Sequence, residues 1–147
     1  MDKVAKQAQI AIGTIYIYFS NKEDLLNQLY VKLYTESVER FLEYYNPKAP
    51  FKIGLKTVWK NYLMHRMNHY KESNFLELYY RSAYITETHK QMAEEMKKPI
   101  HKIIQRGKNE MLIKQDIDDE MIFLGMLGFI RELNSIFLFF FSFEKIW

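Results

Sequence analysis

Residues 2–26 constrain the fold most, because they place two short helical segments on either side of a turn of only a few residues. In residues 2–8, apolar side chains recur at helical spacing and the polar side chains lie on the opposite side. A second segment, residues 13–19, has Ile15 and Phe19 four residues apart, which also fits a helix. Two short helices joined this closely predict a helix-turn-helix, the motif that places its second helix in the major groove of DNA.

A third helix is predicted to begin directly after Phe19. Ser20 is a favourable N-cap residue, and Glu23 lies three residues further on, which is the spacing of a capping box. The backbone N–H groups of this first turn, together with Lys22, suit a DNA phosphate. Three lysines against a single aspartate also leave residues 1–22 with a charge of +2, which favours an end that faces phosphates.

The remaining chain has the periodicity of an all-helical protein. Apolar residues recur every 3.6 residues almost throughout, and only three prolines and five glycines interrupt them. The 48% of hydrophobic residues can bury a sizeable core, and the 27% of charged residues argues against disorder. Cysteine is absent, which excludes disulfides and thiolate metal sites, and without a signal peptide we expect a cytoplasmic location. The net charge of +3 is too small to indicate nucleic-acid binding by itself.

Residues 20–45 are predicted to form one long connecting helix, whose first turns belong to the DNA-binding unit and whose later turns pack on the rest of the chain. The prolines within residues 46–50 end this helix, since proline lacks a backbone donor and disfavours helix in the residue before it. Four helical regions follow. They are residues 51–70, residues 75–85 capped by Ser73 or Asn74, residues 88–114 with a kink or a new helix at Pro99, and residues 119–143 capped by Asp118.

Residues 8–26 resemble the signature of the TetR family of one-component transcriptional regulators. Seven residues in the family's order carry this resemblance: Gly13, Thr14, Tyr16, Tyr18, Phe19, Lys22 and Leu25. A weaker resemblance covers residues 99–133, through Pro99, Ile103, Gly107, Asp118 and Gly128. The family's architecture then implies a helix-turn-helix DNA-binding domain at residues 1–30, joined by the connecting helix to a ligand-binding and dimerisation domain at residues 31–147.

The resemblance also implies which residues contact operator DNA. The predicted DNA-binding residues are Gly13, Thr14, Tyr16, Ile17, Tyr18 and Lys22. Among them, Gly13 lets the backbone approach the DNA, and the isoleucines at positions 12 and 17 occupy exposed positions of the recognition helix. Isoleucine cannot hydrogen-bond to a base edge, although it can contact a thymine methyl group. The alternative is that Tyr16, Tyr18 and Phe19 form only the small core of a three-helix unit.

Two residues of the turn depart from the family pattern. Gln9 stands where the family prefers a turn glycine, and Ala11 stands where a serine or threonine caps the recognition helix. Losing such a cap costs about 1 kcal/mol. The apolar side of the first two helices also needs a preceding helix to cover it, and the sequence, which begins at Met1, has no room for one. We therefore expect the family's first helix to be missing, and the family's last helix would have to follow Trp147.

The central helices contain the candidate effector site. The resemblance implies a pocket for a small molecule, and the available side chains supply apolar walls with a few polar groups, which suits a flat, apolar or aromatic ligand. The predicted lining residues are Trp59, Tyr62, Arg66, Met67, Phe75, Tyr79, Tyr80, Tyr84, His101 and Ile104. The alternative is that these aromatic residues at helical spacing form only the core of the second domain.

Residues 121–143 are unusually apolar, but they contain Arg131, Glu132 and Asn134 near their middle. Each charge there would be costly in lipid, so a membrane span is not expected. Two glycines allow close approach of another helix, and we predict a homodimer interface, with intrachain core as the alternative. The predicted interface residues are Met121, Leu124, Gly125, Gly128, Phe129, Glu132 and Ile136.

Metal and enzyme chemistry find little support in the sequence. His65 and His69 are four residues apart on a helix, but two imidazoles without a third ligand are a weak metal signal, so no metal and no cofactor are predicted. A glycine-rich phosphate loop, a cysteine nucleophile and a serine with suitable histidine and acid partners are all absent. The chain is therefore not expected to be an enzyme.

The sequence favours a homodimeric transcriptional regulator, a ligand-responsive repressor that binds a palindromic operator through two recognition helices in successive major grooves. A small apolar or aromatic effector in the second domain would favour a conformation that no longer matches the operator spacing. Two alternatives remain open: a ligand-binding and dimerisation module without DNA-binding activity of its own, and a helical protein that acts at a membrane surface.

Overall fold

The computed structural model describes the backbone of residues 1–143 and the side chains of residues 1–130 and 132. This part of the chain is all-helical, as the periodicity predicts, and contains seven helices. They are α1 (Asp2–Ala8), α2 (Ile12–Tyr18), α3 (Lys22–Leu42), α4 (Phe51–Asn68), α5 (Tyr70–Tyr80), α6 (Glu87–Asn109) and α7 (Asp119–Phe143). Helices α1 and α2 pack on each other, while α3 packs against α4, α5 and α6, and α7 packs against α4 and α6.

The turn between α1 and α2 explains why the position of Gln9 favours glycine. Gln9 ends α1 in the left-handed region (φ 56°, ψ 37°), and its N–H group donates to the carbonyls of the last turn of α1. Glycine adopts this conformation without steric cost, whereas glutamine does not. Ala11 then precedes α2 with an extended backbone and no side-chain cap, as predicted, and α2 begins at Ile12, one residue before its predicted start.

The predicted cap of α3 is wrong by one residue. Asn21, rather than Ser20, is the N-cap, and its Oδ1 accepts a hydrogen bond from the N–H of Asp24 at 2.9 Å. Asp24, rather than Glu23, reaches back and accepts from the N–H of Ser20 at 2.8 Å. Hydrogen bonds from Gln28 and Ser20 lower the pKa of the Asp24 carboxyl group. Both residue types can cap, and the extended backbone at Asn21 decides which of them does.

The break between α4 and α5 lies earlier than predicted. It falls at His69 (φ −125°, ψ 46°), and α5 already begins at Tyr70. Ser73, a predicted cap, instead lies inside α5 and is only 3% exposed. Of the two alternatives predicted at Pro99, the new helix is also absent, because α6 continues through this residue as one helix. Packing of α4, α5 and α6 on their neighbours overrides these local preferences.

The core lies between α4 and α6 and positions the helices around the candidate site. Its buried members are Phe51, Val58, Ile100, Ile103 and Ile104, with Phe123 and Met126 of α7 packed against them. Gly107 of α6 makes this packing possible, because a Cβ atom there would lie 2.5 Å from the Phe51 ring. The closeness of the two helices therefore depends on a residue without a side chain.

Helix α7 begins as the sequence predicts. Asp118 Oδ1 accepts hydrogen bonds from the N–H groups of Glu120 and Met121, at 2.9 and 3.2 Å, which confirms the predicted cap. Lys108, only 7% exposed, joins α6 to this end by donating to the Ile117 carbonyl at 2.6 Å. Within the described chain, none of the helices combines the length and apolar character needed to cross a membrane.

Candidate DNA-binding surface and effector cavity

One side of α2 is buried and the other is fully available to a partner. Ile15 is 3% exposed, whereas Tyr16, Ile17 and Tyr18 are 51%, 77% and 71% exposed. The two tyrosines are therefore not the core of the helix-turn-helix in this chain, and only Phe19 is half-buried. The geometry thus groups the predicted DNA-binding residues of α2 on an exposed surface.

Small residues and lysines complete this surface. Gly13 is exposed, and a Cβ atom there would meet no other atom within 4 Å, so nothing in the chain hinders close approach of a ligand backbone. Thr14 is half-buried beside it. Lys3 and Lys6 on α1 and Lys22 at the start of α3 are all exposed. These groups can meet a polyanion, and we call α2 with these lysines the recognition surface.

Lys22 and Asn27 connect the recognition surface to the helices behind it. Lys22 Nζ lies 5.9 Å from the centroid of the Tyr84 ring, in the loop between α5 and α6. The Tyr79 hydroxyl of α5, on a side chain only 3% exposed, can donate either to Asn27 Oδ1 or to the Tyr84 carbonyl at 3.1 Å. Sequence reasoning did not find the contacts of Lys22 with Tyr84 and of Tyr79 with Asn27, because each joins residues more than fifty positions apart.

A cavity of about 430 Å³ lies among α3, α4, α5, α6 and α7. Most of its wall is apolar or aromatic. The lining residues are Tyr30, Tyr34, Ser37, Val38, Phe41, Tyr62, Arg66, Ser73, Leu76, Glu77, Tyr80, Arg81, Ala93, Lys97, Glu120, Phe123, Leu124, Leu127 and Gly128. A cavity of this size and composition can hold a small, mainly apolar molecule.

Three of the ten predicted lining residues, Tyr62, Arg66 and Tyr80, lie in the wall of this cavity. The others lie elsewhere for identifiable reasons. Ile104 belongs to the core between α4 and α6. Met67 is 38% exposed at the end of α4. These residues lie on sides of their helices that do not face the cavity, unlike the three that line it. Helical spacing alone does not determine which side of a helix faces a cavity.

The remaining five predicted residues make contacts outside the cavity. Trp59 Nε1 donates to the Met126 carbonyl at 2.6 Å, and the Trp59 ring stacks near Phe129, at a centroid distance of 6.5 Å. The His101 ring stacks on Phe123 at 5.7 Å. Tyr79, Phe75 and Tyr84 lie towards the recognition surface, where Tyr79 contacts the Phe75 ring and the Tyr84 carbonyl.

Sequence reasoning missed the contribution of the connecting helix to the cavity. Five residues of α3 line it: Tyr30, Tyr34, Ser37, Val38 and Phe41. Apolar residues recur at helical spacing along this helix, which predicts a packing surface but does not by itself predict a cavity. The helix that begins at the recognition surface thus also forms one wall of the cavity.

Two positive side chains of the cavity wall, Arg66 and Lys97, have carboxylate partners within the chain. Arg66, 6% exposed, pairs with Glu77 at 2.8 Å, and its Nη1 donates to the Tyr62 hydroxyl at 3.5 Å. Lys97 pairs with Glu94 at 2.8 Å and with Glu120 at 3.5 Å. Because Arg66 and Lys97 already face carboxylates, and the third positive side chain of the wall, Arg81, is exposed, the wall favours a neutral ligand over a strongly charged one.

Tyr30 combines complete burial with an unsatisfied hydroxyl group. Its side chain is 0% exposed, and its hydroxyl has no hydrogen-bond partner among the described residues. Burial raises the pKa of Tyr30 to about 12, so the phenol stays protonated and remains a donor. The ring stacks on Tyr79 at a centroid distance of 4.7 Å. Tyr30 therefore contacts both the cavity and the tyrosine that bonds to the start of α3.

The two histidines of α4 and its C-terminal end, His65 and His69, contact each other. The His65 and His69 rings stack at 4.9 Å, and His65 Nε2 lies 3.1 Å from the Ser37 hydroxyl oxygen. Among the described residues no group of three or more metal-ligating side chains comes together. Burial, followed by the neighbouring His69, lowers the pKa of His65.

The predicted dimer face of α7 is largely exposed. Met121, Leu124 and Phe129 are 68%, 54% and 56% exposed, which is high for apolar side chains. Cβ atoms at Gly125 and Gly128 would meet nothing within 4 Å among the described residues. Glu132 is exposed, whereas the side chain of Ile136 lies outside the described residues.

Comparison with known proteins shows what the N-terminal part of the chain is similar to. Residues 1–29 match the family described as "Bacterial regulatory proteins, tetR family". Over 58 residues the chain is 45% identical to the fatty acid metabolism regulator protein of Bacillus subtilis, covering 40% of this chain and 30% of that protein. Over 61 residues it is 36% identical to an uncharacterised HTH-type transcriptional regulator of Haemophilus influenzae, covering 42% of this chain and 33% of that protein. The matched segments span about a third of these curated relatives.

The fold is also known from solved structures. The crystal structure of a TetR family transcription regulator from Marinobacter aquaeolei VT8 matches with a TM-score of 0.81 and 22% sequence identity. The match covers 90% of this chain and 69% of that chain. The predicted all-helical fold with an N-terminal helix-turn-helix is confirmed, and the proteins matched are transcriptional regulators rather than enzymes.

Proposed function

We propose that this chain, which belongs to the TetR family of bacterial regulatory proteins, is a ligand-responsive transcriptional repressor in the cytoplasm. In this proposal it binds a palindromic operator as a homodimer, with residues 1–30 as the DNA-binding domain and residues 31–147 as the ligand-binding and dimerisation domain. A small apolar or aromatic effector releases it from the operator.

The exposed face of α2 is the observation that carries the DNA-binding part of the proposal. Tyr16, Ile17 and Tyr18 are more than half exposed, so their side chains are available to a partner. Next to them, the exposed Lys22 and the capped first turn of α3 present positive charge. Lysine and tyrosine hydroxyl groups contact phosphates and fix the position of a protein on the duplex.

The exposed apolar face of α7 supports the homodimer. Two-fold symmetric dimers bury the same surface of both subunits, and an exposed apolar helix with open glycines suits that arrangement. Met121, Gly125, Gly128 and Phe129 lie along one side of α7, within reach of a second copy of this helix. A two-fold axis between two such subunits would place two α2 helices on a palindromic operator.

The cavity supports a response to a small molecule. Its walls are mostly apolar, and two of its three positive side chains, Arg66 and Lys97, are paired with carboxylates, so we infer a neutral apolar or aromatic effector. The Tyr30 hydroxyl, which stays protonated, is the donor that a single polar atom of such an effector would meet. This accounts for a buried hydroxyl group that has no partner among the described residues.

Tyr79 provides a route from the cavity to the recognition surface. Its ring stacks on Tyr30 of the cavity wall, and its hydroxyl reaches Asn27 on the second turn of α3. An effector that displaces Tyr30 would disturb this contact and hence the first turns of α3, which follow α2 directly. The effector changes operator affinity only if it binds the two resulting conformations unequally.

Operator binding is tested with DNA selected from a random duplex library by this chain. We expect binding whose affinity falls steeply with salt, because lysine contacts to phosphates release counterions. Lys22→Ala should weaken binding to every sequence and reduce the salt slope by about 1 for each subunit. Lys102→Ala, an exposed lysine on α6, is the matched control and should change neither quantity.

The same titration separates the proposal from its alternative. A folded, dimeric chain that showed no binding above that of an unrelated duplex would contradict the DNA-binding proposal. It would favour a ligand-binding and dimerisation module without DNA-binding activity of its own. The uncapped start of α2 at Ala11 is the observation that favours this alternative, since it lowers the stability of the recognition helix.

The effector cavity is tested with two substitutions on the same helix. Leu76→Trp places an indole in the cavity wall, whereas Leu78→Trp adds one at a position that is 73% exposed. We expect a fluorescent naphthalene sulfonate dye, which brightens in apolar sites, to bind to the native chain and to Leu78→Trp but not to Leu76→Trp. Equal dye binding by all three proteins would contradict a ligand site at this cavity.

A further inference from the structure

We propose that Ile17 reads a thymine methyl group in the major groove, and that this contact gives each operator half-site its sequence preference. The inference rests on the proposed operator binding and adds the chemical group that the recognition helix selects. It concerns the most exposed apolar side chain of the recognition surface, since Ile17 is 77% exposed.

The position of Ile17 on α2 points it at the binding partner. At 3.6 residues per turn, Ile17 lies roughly 160° around the helix axis from Ile15, which is 3% exposed. Gly13, four residues earlier, shares this outermost line and has open space around its Cα atom. The centre of the recognition face is thus a glycine and an isoleucine, and a duplex can approach it closely.

This centre cannot read bases by hydrogen bonding. Glycine and isoleucine side chains have no donor or acceptor, so the only base feature in the major groove that Ile17 can recognise is the C5 methyl of thymine. The groups that can form hydrogen bonds, on Thr14 and Tyr16, flank the centre and suit phosphates. This helix therefore supports polar contacts to phosphates at its sides, which position the protein on the duplex, and an apolar contact to a base at its centre.

The free chain supplies the driving force for such a contact. An isoleucine that is 77% exposed loses little packing when it leaves water for the groove, and it gains burial against the methyl group. Burying one methyl group corresponds to about a fourfold gain in affinity. In a homodimer with two half-sites the contact is made twice, so its contribution to the free energy of binding is doubled.

The test replaces thymine with deoxyuridine, which lacks only the methyl group, at each thymine of the selected operator in turn. We expect one thymine in each half-site whose replacement weakens binding about fourfold. Replacing the same base pair with 5-methylcytosine and guanine should retain more affinity than unmethylated cytosine and guanine, because the methyl group keeps its place in the groove. Binding is measured by fluorescence anisotropy at fixed salt.

A variant cycle assigns the effect to Ile17. In Ile17→Ala the deoxyuridine replacement should lose its effect, and because this side chain is exposed the variant should keep its fold. Ile53→Ala, at an isoleucine that is 58% exposed on α4, is the matched control and should retain full sensitivity to the methyl group.

Three outcomes would overturn methyl reading, and only the third would also overturn operator binding. Specific operator binding that is equally strong with thymine and deoxyuridine at every position would overturn methyl reading and leave the proposed regulator intact. Methyl sensitivity that persists unchanged in Ile17→Ala would do the same, because another residue would then read the methyl group. Absence of specific binding by the native chain would instead overturn operator binding, and methyl reading with it.

Discussion

At the scale of single residues, side-chain size decides as much as side-chain chemistry. Gly13, Gly107 and Gly125 are all helical glycines, but their surroundings differ completely. A Cβ atom would meet the Phe51 ring at Gly107, whereas it would meet nothing within 4 Å at Gly13 or Gly125. Gly107 is therefore needed for the core of this chain, whereas Gly13 and Gly125 leave room for a partner outside it.

We expect Gly107→Ala to lower the free energy of unfolding by about 1–3 kcal/mol, because the added methyl group overpacks a core that Phe51 and Ile113 already fill. Urea denaturation followed by circular dichroism measures this. Gly125→Ala is the matched control, and at low protein concentration it should leave the chain equally stable or slightly more stable. Equal effects of the two substitutions would contradict this account of Gly107.

His65 should make stability depend on pH. Burial and the neighbouring His69 lower the pKa of His65, so the folded chain favours the neutral imidazole. As the pH falls below about 6.5, the unfolded chain takes up a proton that the folded chain accepts only at a lower pH. The free energy of unfolding should therefore decrease from pH 7.5 to pH 5.5, and His65→Gln should reduce this decrease. An unchanged pH slope in the variant would contradict the assignment.

At the scale of helices, α3 has two separate tasks along its length. Its first turns, capped by Asn21, support the recognition surface, while its later turns supply five residues to the cavity wall. Tyr30 lies at the junction and contacts Tyr79 on α5. Because a helix transmits displacement along its axis, this placement is the structural basis of the proposed effector response.

The contact between Tyr79 and Asn27 should be measurable as a coupling energy. We expect Tyr79→Phe and Asn27→Ala each to lower the free energy of unfolding. The double variant should lose less than the sum of the two single losses, with an interaction energy of about 0.5–1.5 kcal/mol. Urea denaturation of the two single variants and the double variant gives this value. Tyr34→Phe, which loses a bond to the Ala93 carbonyl instead, should combine additively with Asn27→Ala. An additive Tyr79 cycle would rule out this route.

At the scale of the whole molecule, the exposed apolar surface includes the recognition surface and α7. Met121 and Phe129 on α7 are among its most exposed members. Exposed apolar patches of this kind mark interaction sites on soluble proteins. The proposed operator binding needs both surfaces, because one subunit contacts only one half-site.

We expect Met121→Asp to shift the chain from dimer to monomer, because it places a charge in the proposed interface at a side chain that is 68% exposed in one subunit. Sedimentation equilibrium at micromolar concentration measures this. Leu78→Asp is the matched control, at a leucine that is 73% exposed on α5, and it should not change the oligomeric state. A dimer that tolerates Met121→Asp as well as it tolerates Leu78→Asp would place the interface elsewhere.

The helical class, the helix-turn-helix and most helix limits follow from sequence patterns, because periodicity, proline and capping residues act over a few neighbouring positions. The Asn21 cap and the start of α5 at Tyr70 differ because local preferences there are close in energy. The cavity could not be predicted in this way. Which of the aromatic residues face it depends on how five helices are rotated against one another, and that choice belongs to tertiary packing. Hence Tyr62 and Tyr80 were found, whereas Tyr30 and its contact with Tyr79 emerged only from the folded chain.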